Sequence, residues 1–325
     1  SICDLFINVR GLTRCMDPIL FRRGVDKREV RRGFRERLGR SGIVVAPGIF
    51  LPITAMLAAA EGFEAIYFGG AAFSNMLGLP DLGVFTLTEL AMQVSHISET
   101  VDLPLIVDVD TGFGEAINVA RTVRVMEDAG AAAIHLEDQE FPKKCGHLGG
   151  KRVVPVEDMI KKIRAAVDAR RDENFIIIAR TDARDVNGIE DAIDRANAYV
   201  EAGADMIFPE SLHDEDEFRL VAQRVKAPLL ANMTEFGKTP YITAKRFEEL
   251  GYKVVIFPVT TFRYAMGAVR KALRTIKEEG TQKSLLGDMM SREEIYELIG
   301  YWDYEKWDKE LAEESGKQAA RRVKA

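Results

Sequence analysis

The feature that most limits what this chain can fold into is a rhythm. From residue 41 onward, short β-branched apolar runs alternate with longer stretches of helical spacing. The runs cover residues 43–49, 65–70, 105–110, 132–137, 175–181, 206–210, 229–233 and 254–259, eight in all. Between them, segments such as 119–129, 156–169, 189–202 and 214–225 repeat apolar residues at the helical period. Strands that are apolar on both faces and separated by helices pair in parallel through right-handed crossovers. Eight such units predict an α/β fold, a (β/α)8 TIM-type barrel over residues 41–280. A doubly wound open sheet is the alternative. That fold usually has a glycine-rich turn after its first strand, where this chain reads Phe50-Leu51-Pro52.

The flanks differ from the barrel. Residues 1–40 form a basic arm with 11 basic and 5 acidic residues, although the whole chain carries 45 against 51 and a net charge of −6. Within the arm, 27–38 reads as an amphipathic helix with Val30, Phe34 and Leu38 on one side, a lid or end cap on the barrel. Residues 1–15, ahead of Met16, read as non-native or disordered sequence, with an arginine-bearing transit segment as the alternative. The tail predicts helices over 261–278, 291–299 and 304–314, so that 281–325 forms a helical arm. Its cluster of Tyr301, Trp302, Tyr304 and Trp307 suits a contact between subunits, with the arm able to swap between them; the plainer alternative is a cap on the barrel. A homo-oligomer is therefore expected.

Other classes fall away. No apolar run approaches the ~20 residues that span a bilayer, so no membrane partner is expected. Three cysteines (Cys3, Cys15 and Cys145) build no disulfide framework and suit a reducing, cytoplasmic setting. The basic arm has few aromatics and no nucleic-acid-binding signature, so no nucleic-acid partner is expected.

Barrel enzymes place their chemistry at the carboxyl ends of the strands. The third run ends Asp108-Val109-Asp110, and period-2 geometry puts both acids on one face; the fourth adds Glu137. Three converging carboxylates with no Lys among them repel one another unless a cation lies between, and hard oxygen ligands suit Mg²⁺, or Mn²⁺. The fifth run ends at Arg180, which can grip a carboxylate bidentately, the sixth at Glu210, and the seventh offers Asn232 and Thr234 on one face. Such a mouth suits a small polycarboxylate. After the fourth run comes Lys143-Lys144-Cys145-Gly146-His147-Leu148-Gly149-Gly150-Lys151. Its cations are expected to lower the Cys145 thiol pKa, and its glycines to let the loop close over a ligand.

That loop resembles the signature of the isocitrate lyase superfamily, which includes phosphoenolpyruvate mutase. The segments Gly78-Leu79-Pro80-Asp81-Leu82-Gly83, Asp108 through Gly114, His135-Leu136-Glu137-Asp138-Gln139 and Ala231 through Gly237 match in order, as does Glu279-Gly280-Thr281-Gln282-Lys283. The resemblance covers about residues 30–312 and is greatest to the 2-methylisocitrate-cleaving branch. It implies Mg²⁺-dependent retro-aldol cleavage of a tricarboxylate, 2-methylisocitrate, to pyruvate and succinate by a tetramer. It also implies Asp108 as direct metal ligand, Asp110 and Glu137 as ligands through water, and Cys145 as the acid that protonates succinate. Tyr67, Lys143, His147 and Arg180 would orient or deprotonate substrate; Asp81, Gly146, Glu210, Asn232 and Thr234 would complete the pocket. In that branch Phe208 and Ile256 stand where an apolar pair makes room for the extra methyl. The family's second strand commonly ends Tyr-x-Ser-Gly; here it reads Tyr67-Phe68-Gly69-Gly70, and the backbone of Gly69, Gly70 and Ala71 is expected to serve as an anion nest instead. Isocitrate cleavage, a phosphonomutase or decarboxylase, and a catalytically silent barrel subunit are the alternatives. Intact Asp108, Glu137, Cys145 and Arg180 argue against silence.

Overall fold

The computed structural model of the chain describes residues 24–323. The expectations for residues 1–15, Met16, Cys3 and Cys15 lie outside the described residues. Strands and helices alternate in the order α1 (Lys27–Leu38), β1 (Val44–Pro47), α2 (Pro52–Ala60), β2 (Ile66–Phe68), α3 (Gly70–Met76), α4 (Leu87–Thr100), β3 (Leu105–Asp108), α5 (Ala116–Asp128), β4 (Ala133–Glu137) and α6 (Val156–Ala169). There follow β5 (Ile176–Thr181), α7 (Ala183–Asn187), α8 (Ile189–Glu201), β6 (Met206–Pro209), α9 (Glu215–Arg224), β7 (Leu230–Asn232), α10 (Ala244–Glu249), β8 (Val254–Phe257) and α11 (Thr260–Glu279).

All strand pairs are parallel. β2 to β6 pair in sequence order, and β7–β8–β1 forms the second arc. Single bridges join the arcs, Gly48 to Tyr67 between β1 and β2 and Ile207 to Leu229 between β6 and β7, so the strand order runs around a ring. The strands are shorter than the apolar runs: in six of the eight the last one or two residues leave the ladder to form the mouth, whereas β4 and β5 run to the end of the pattern at Glu137 and Thr181. Inward-facing side chains, among them Val44, Ile106, Ile178, Met206, Leu230, Val254 and Ile256, fill the ring as one core. Burial of this kind, at roughly 25 cal/mol per Å² of apolar surface, is what holds such a barrel together.

Helix α1 is an end cap and not a lid over the mouth. Phe34 and Leu38 join the core beside Ala65 and Ala132, which precede β2 and β4, so the helix closes the amino-terminal end of the barrel. Its Arg31 donates to the carbonyls of Ala131 (2.9 Å) and Glu127 (2.6 Å) and pairs with Asp172 (3.3 Å). At α4, Thr86 and Glu89 exchange hydrogen bonds in a capping box that fixes where that helix begins.

Val25–Lys271 forms one compact unit; Ala272 onward belongs to a second. The second contains the end of α11, a 3-10 turn at Lys283–Asp288, α12 (Arg292–Ile299) and α13 (Tyr301–Val323). The last helix is longer than its sequence pattern predicts. Tyr296 stacks on Tyr301 with ring centroids 4.2 Å apart, and Trp302 meets both rings edge-on. Among the described residues no helix is long and apolar enough to cross a membrane.

Candidate active site

The carboxyl ends of β2 to β7 converge on a buried polar cluster. Asp108 ends β3, and its Oδ1 accepts the N–H of Asp110 at 2.9 Å while its Oδ2 accepts the N–H of Gly70 at 3.0 Å. Asp110 sits in the left-handed region (φ 48°), which an Asp tolerates better than most residues, and the bond to Asp108 holds it there. A Cβ at Gly70 would stand 3.0 Å from carboxylate oxygens of both aspartates, so any larger residue would push the two carboxylates aside. The expected anion nest is thus corrected in part: the Gly70 N–H is already engaged by a carboxylate of the protein. Ala71 turns toward an apolar cluster of Phe50, Ala72 and Val259.

Glu137 ends β4 and is fully buried. None of the oxygens of Asp110 and Glu137 accepts a well-formed hydrogen bond; they meet charge alone, Lys143 Nζ at 2.8 Å from Asp110 and Arg180 Nε at 3.3 Å from Glu137. The expectation of a carboxylate cluster without lysine is therefore corrected. Lys143 folds back from the loop after β4 to pair with both Asp110 and Asp81, 62 residues away. Among the described residues no three acidic, His or Cys side chains already surround a common point as metal ligands would. The chemistry still fits a hard dication: buried carboxylate oxygens lacking donors are what Mg²⁺ binds, and Asp110 and Glu137 supply them, with the carboxylate of Asp108 beside them.

Burial pushes the carboxyls of Asp110 and Glu137 above the usual range. Burial acts the same way on Asp108, yet His135, Lys143 and Arg180 outweigh it and hold that group low. Arg180 forks onto Asp182, Nε to Oδ2 at 3.0 Å and Nη2 to Oδ1 at 3.2 Å, and lies over the Phe208 ring at 5.2 Å. Its expected grip on a carboxylate is thus taken up within the protein. Phe208 and Ile256 are buried in the barrel interior and form the floor of the mouth. Tyr67 shares a hydrogen bond with His135 Nε2 at 2.8 Å, and burial drives the His135 pKa down to about 4, so this ring is neutral.

The loop after β4 lies down over this cluster. Its Gly146 leaves no room for a side chain against Glu210 and Arg180. The Gly146 carbonyl accepts from Ser211 Oγ at 2.6 Å and from Lys151 Nζ. His147 Nε2 stands 3.3 Å from Glu210, and its Nδ1 accepts the Lys238 N–H at 3.1 Å, which assigns the ring proton to Nε2. Glu210 also takes the Asn232 amide at 3.2 Å, whereas Thr234 meets only Arg263 at 3.4 Å. Burial raises the Cys145 pKa, partly offset by the His147 N–H, so the expected thiolate is corrected to a thiol. The physical reason is geometric. Lys143 is spent on Asp81 and Asp110, and Lys144 Nζ turns away to the Gly150 carbonyl at 3.1 Å.

Sequence reasoning passed over His135, Lys151, Asp182 and Ser211. Lys151 pairs with Asp182 at 2.9 Å, and so ties the Cys145 loop to the residue that holds Arg180. His135 lies in the middle of β4, facing the barrel interior beside Tyr67, Asp182 follows the end of β5, and Lys151 closes the Cys145 loop; what was missing was the long-range pairing.

The chain is similar to several known proteins. A 2-methylisocitrate lyase of Aeropyrum pernix is 60% identical over 287 residues, 88% of this chain and 92% of that protein. The solved structure of 2,3-dimethylmalate lyase, a PEP mutase/isocitrate lyase superfamily member, superposes with a TM-score of 0.81 at 35% identity, covering 87% of this chain and 95% of that one. A phosphonopyruvate hydrolase solved in complex with oxalate and Mg²⁺ superposes at 0.78 with 32% identity, covering 87% and 98%. The family model for phosphoenolpyruvate phosphomutase matches residues 34–277, three quarters of the sequence, and the chain belongs to that family, within the PEP mutase/isocitrate lyase superfamily.

Proposed function

We propose that this chain is a 2-methylisocitrate lyase, cleaving the tricarboxylate to pyruvate and succinate. The observation that carries the reading is Cys145, a protonated thiol on a loop seated against Glu210 and Arg180 beside the buried acids. In the retro-aldol step a base takes the proton of the substrate's tertiary hydroxyl, the bond to the neighbouring CH carbon breaks, and the oxygen becomes the keto group of pyruvate. The electron pair left on that carbon takes the Cys145 proton, giving succinate. Burial opposes the charge on Arg180 and Lys143, but surrounding carboxylates outweigh it and keep both cationic, and a substrate carboxylate would share Arg180 with Asp182 and Lys143 with Asp81 and Asp110. Asp108, Asp110 and Glu137 would hold Mg²⁺, which supplies Lewis-acid polarisation of the forming keto acid. Tyr67, Asp81, Asn232 and Thr234 complete the wall.

The proposal extends to a cytoplasmic homo-oligomer, a tetramer. Tyr264, Leu273, Trp302 and Trp307 are exposed on the terminal helices, and large apolar residues left this way favour a protein contact. The deciding experiment measures keto acid released from 2-methylisocitrate and from isocitrate, each with Mg²⁺ and with EDTA. Pyruvate from the first, lost with EDTA, is expected. Glyoxylate at a comparable rate would move the reading to an isocitrate lyase, and no product from either would overturn a lyase.

A further inference from the structure

Helix α7 is a five-residue turn directly after β5, and its Asp185 is the meeting point of three separate loops. Asp185 Oδ2 receives Lys151 Nζ at 3.3 Å and Lys238 Nζ at 2.6 Å, and Oδ1 stands 3.2 Å from His213 Nε2. Lys151 comes from the loop after β4, His213 from the loop after β6 and Lys238 from the loop after β7. Two of these partners continue into the site. Lys151 Nζ also holds the carbonyl of Gly146, the neighbour of Cys145, and Lys238 gives its N–H to His147 Nδ1 at 3.1 Å. The Asp185 side chain is buried, and its ion pairs go to Lys151, His213 and Lys238, not to Cys145, Arg180 or the strand-end acids. The loops also meet pairwise, Ser211 on Gly146, Lys238 on His147 and Thr239 on the Leu212 carbonyl, but Asp185 is the one buried carboxylate among these contacts that binds side chains from all three, which is more than a helix of this length needs for its own stability.

We propose that Asp185 is a positioning residue, a clasp that fixes the Cys145–His147 loop over the mouth by pinning Lys151 and Lys238 at once. Its effect on turnover rests on the lyase reading; its effect on the loop does not. A buried charge-assisted contact of this kind is worth about a factor of ten or more in the equilibrium it controls.

The test uses the full chain with Mg²⁺ and two variants, Asp185→Ala and Lys238→Met, with Asp185→Glu as the conservative rescue. Two quantities are read: the rate at which iodoacetamide alkylates Cys145, followed by the mass of the peptide that contains it, and kcat and KM for 2-methylisocitrate. Asp185→Ala should speed alkylation about tenfold and lower kcat by a similar factor with a smaller change in KM. Lys238→Met should move both in the same direction by less, and Asp185→Glu should restore part of the protection. Unchanged alkylation in the folded variants overturns the clasp, whatever happens to turnover. If Asp185→Ala fails to fold, Lys238→Met decides alone. If the chain cleaves no 2-methylisocitrate, the lyase reading falls while the alkylation rates still judge the clasp.

Discussion

The two ends of the barrel handle buried charge in opposite ways. At the amino-terminal end the buried charges are paired, and Arg35 Nε is the buried donor there that lacks a hydrogen bond among the described residues. Arg31 is held by two carbonyls and Asp172, and Asp205 gathers Arg35 at 3.1 Å, Arg170 at 2.7 Å and the Ile177 N–H at 2.9 Å. At the carboxyl-terminal end Asp110 and Glu137 keep buried oxygens with no hydrogen bond, and Asp110, Phe113, Ser211 and Phe236 all take positive φ. One end is built to be satisfied. The other stores unmet demand, which a cation and an anionic ligand can meet, and the difference marks where stability ends and chemistry begins.

Three variants put that contrast at risk. At the mouth, Cys145→Ser should lower kcat by roughly 10²–10⁴-fold, the range of a lost general acid, with little change in melting temperature. Because burial raises the Cys145 pKa, the acid form persists through neutrality. Wild-type activity should therefore fall only as alkaline pH passes that pKa, and a pH–rate profile of the variant should lack the limb. At the opposite end, Phe34→Ala should cost roughly 3–5 kcal/mol by opening a core cavity, read by urea unfolding, while the remaining folded enzyme keeps its kcat. A large loss of kcat at equal folded fraction would contradict the division between the ends. The smallest effect belongs to Asp172→Asn. Burial raises the Asp172 carboxyl, but bonds from Asn174 and Arg31 outweigh it and hold the group low. A carboxyl depressed on folding stabilises above its unfolded pKa, near 3.9, and that contribution is lost as pH falls through the folded value. The variant should lose about 1 kcal/mol at neutral pH and nothing in strong acid.

Legibility in the sequence divides along a similar line. Strand runs, the 27–38 helix and the 156–169 helix are set by local periodicity, and their limits in the structure are close to the pattern or identical to it. The short α7 and α10, five and six residues, complete too few turns to show a period. The acids at the strand ends were also legible, because a barrel fixes which end does chemistry. Their partners were not. Lys143 reaching Asp81 and Asp110, Lys151 reaching Asp182, and the thiol left without its neighbouring lysines all depend on how loops fold back over tens of residues, and no local pattern encodes that.

The packed interior of the barrel also governs traffic. Ile106, Ile178, Met206, Leu230, Val254 and Ile256 fill the ring, and Phe34 and Leu38 of α1 cover its amino-terminal end, so a ligand seated on the strand-end acids has no route through the barrel and comes and goes by the mouth alone. Passage through one opening is serial, and any loop that has to move aside there for each ligand sets a ceiling on turnover, however fast the bond inside breaks.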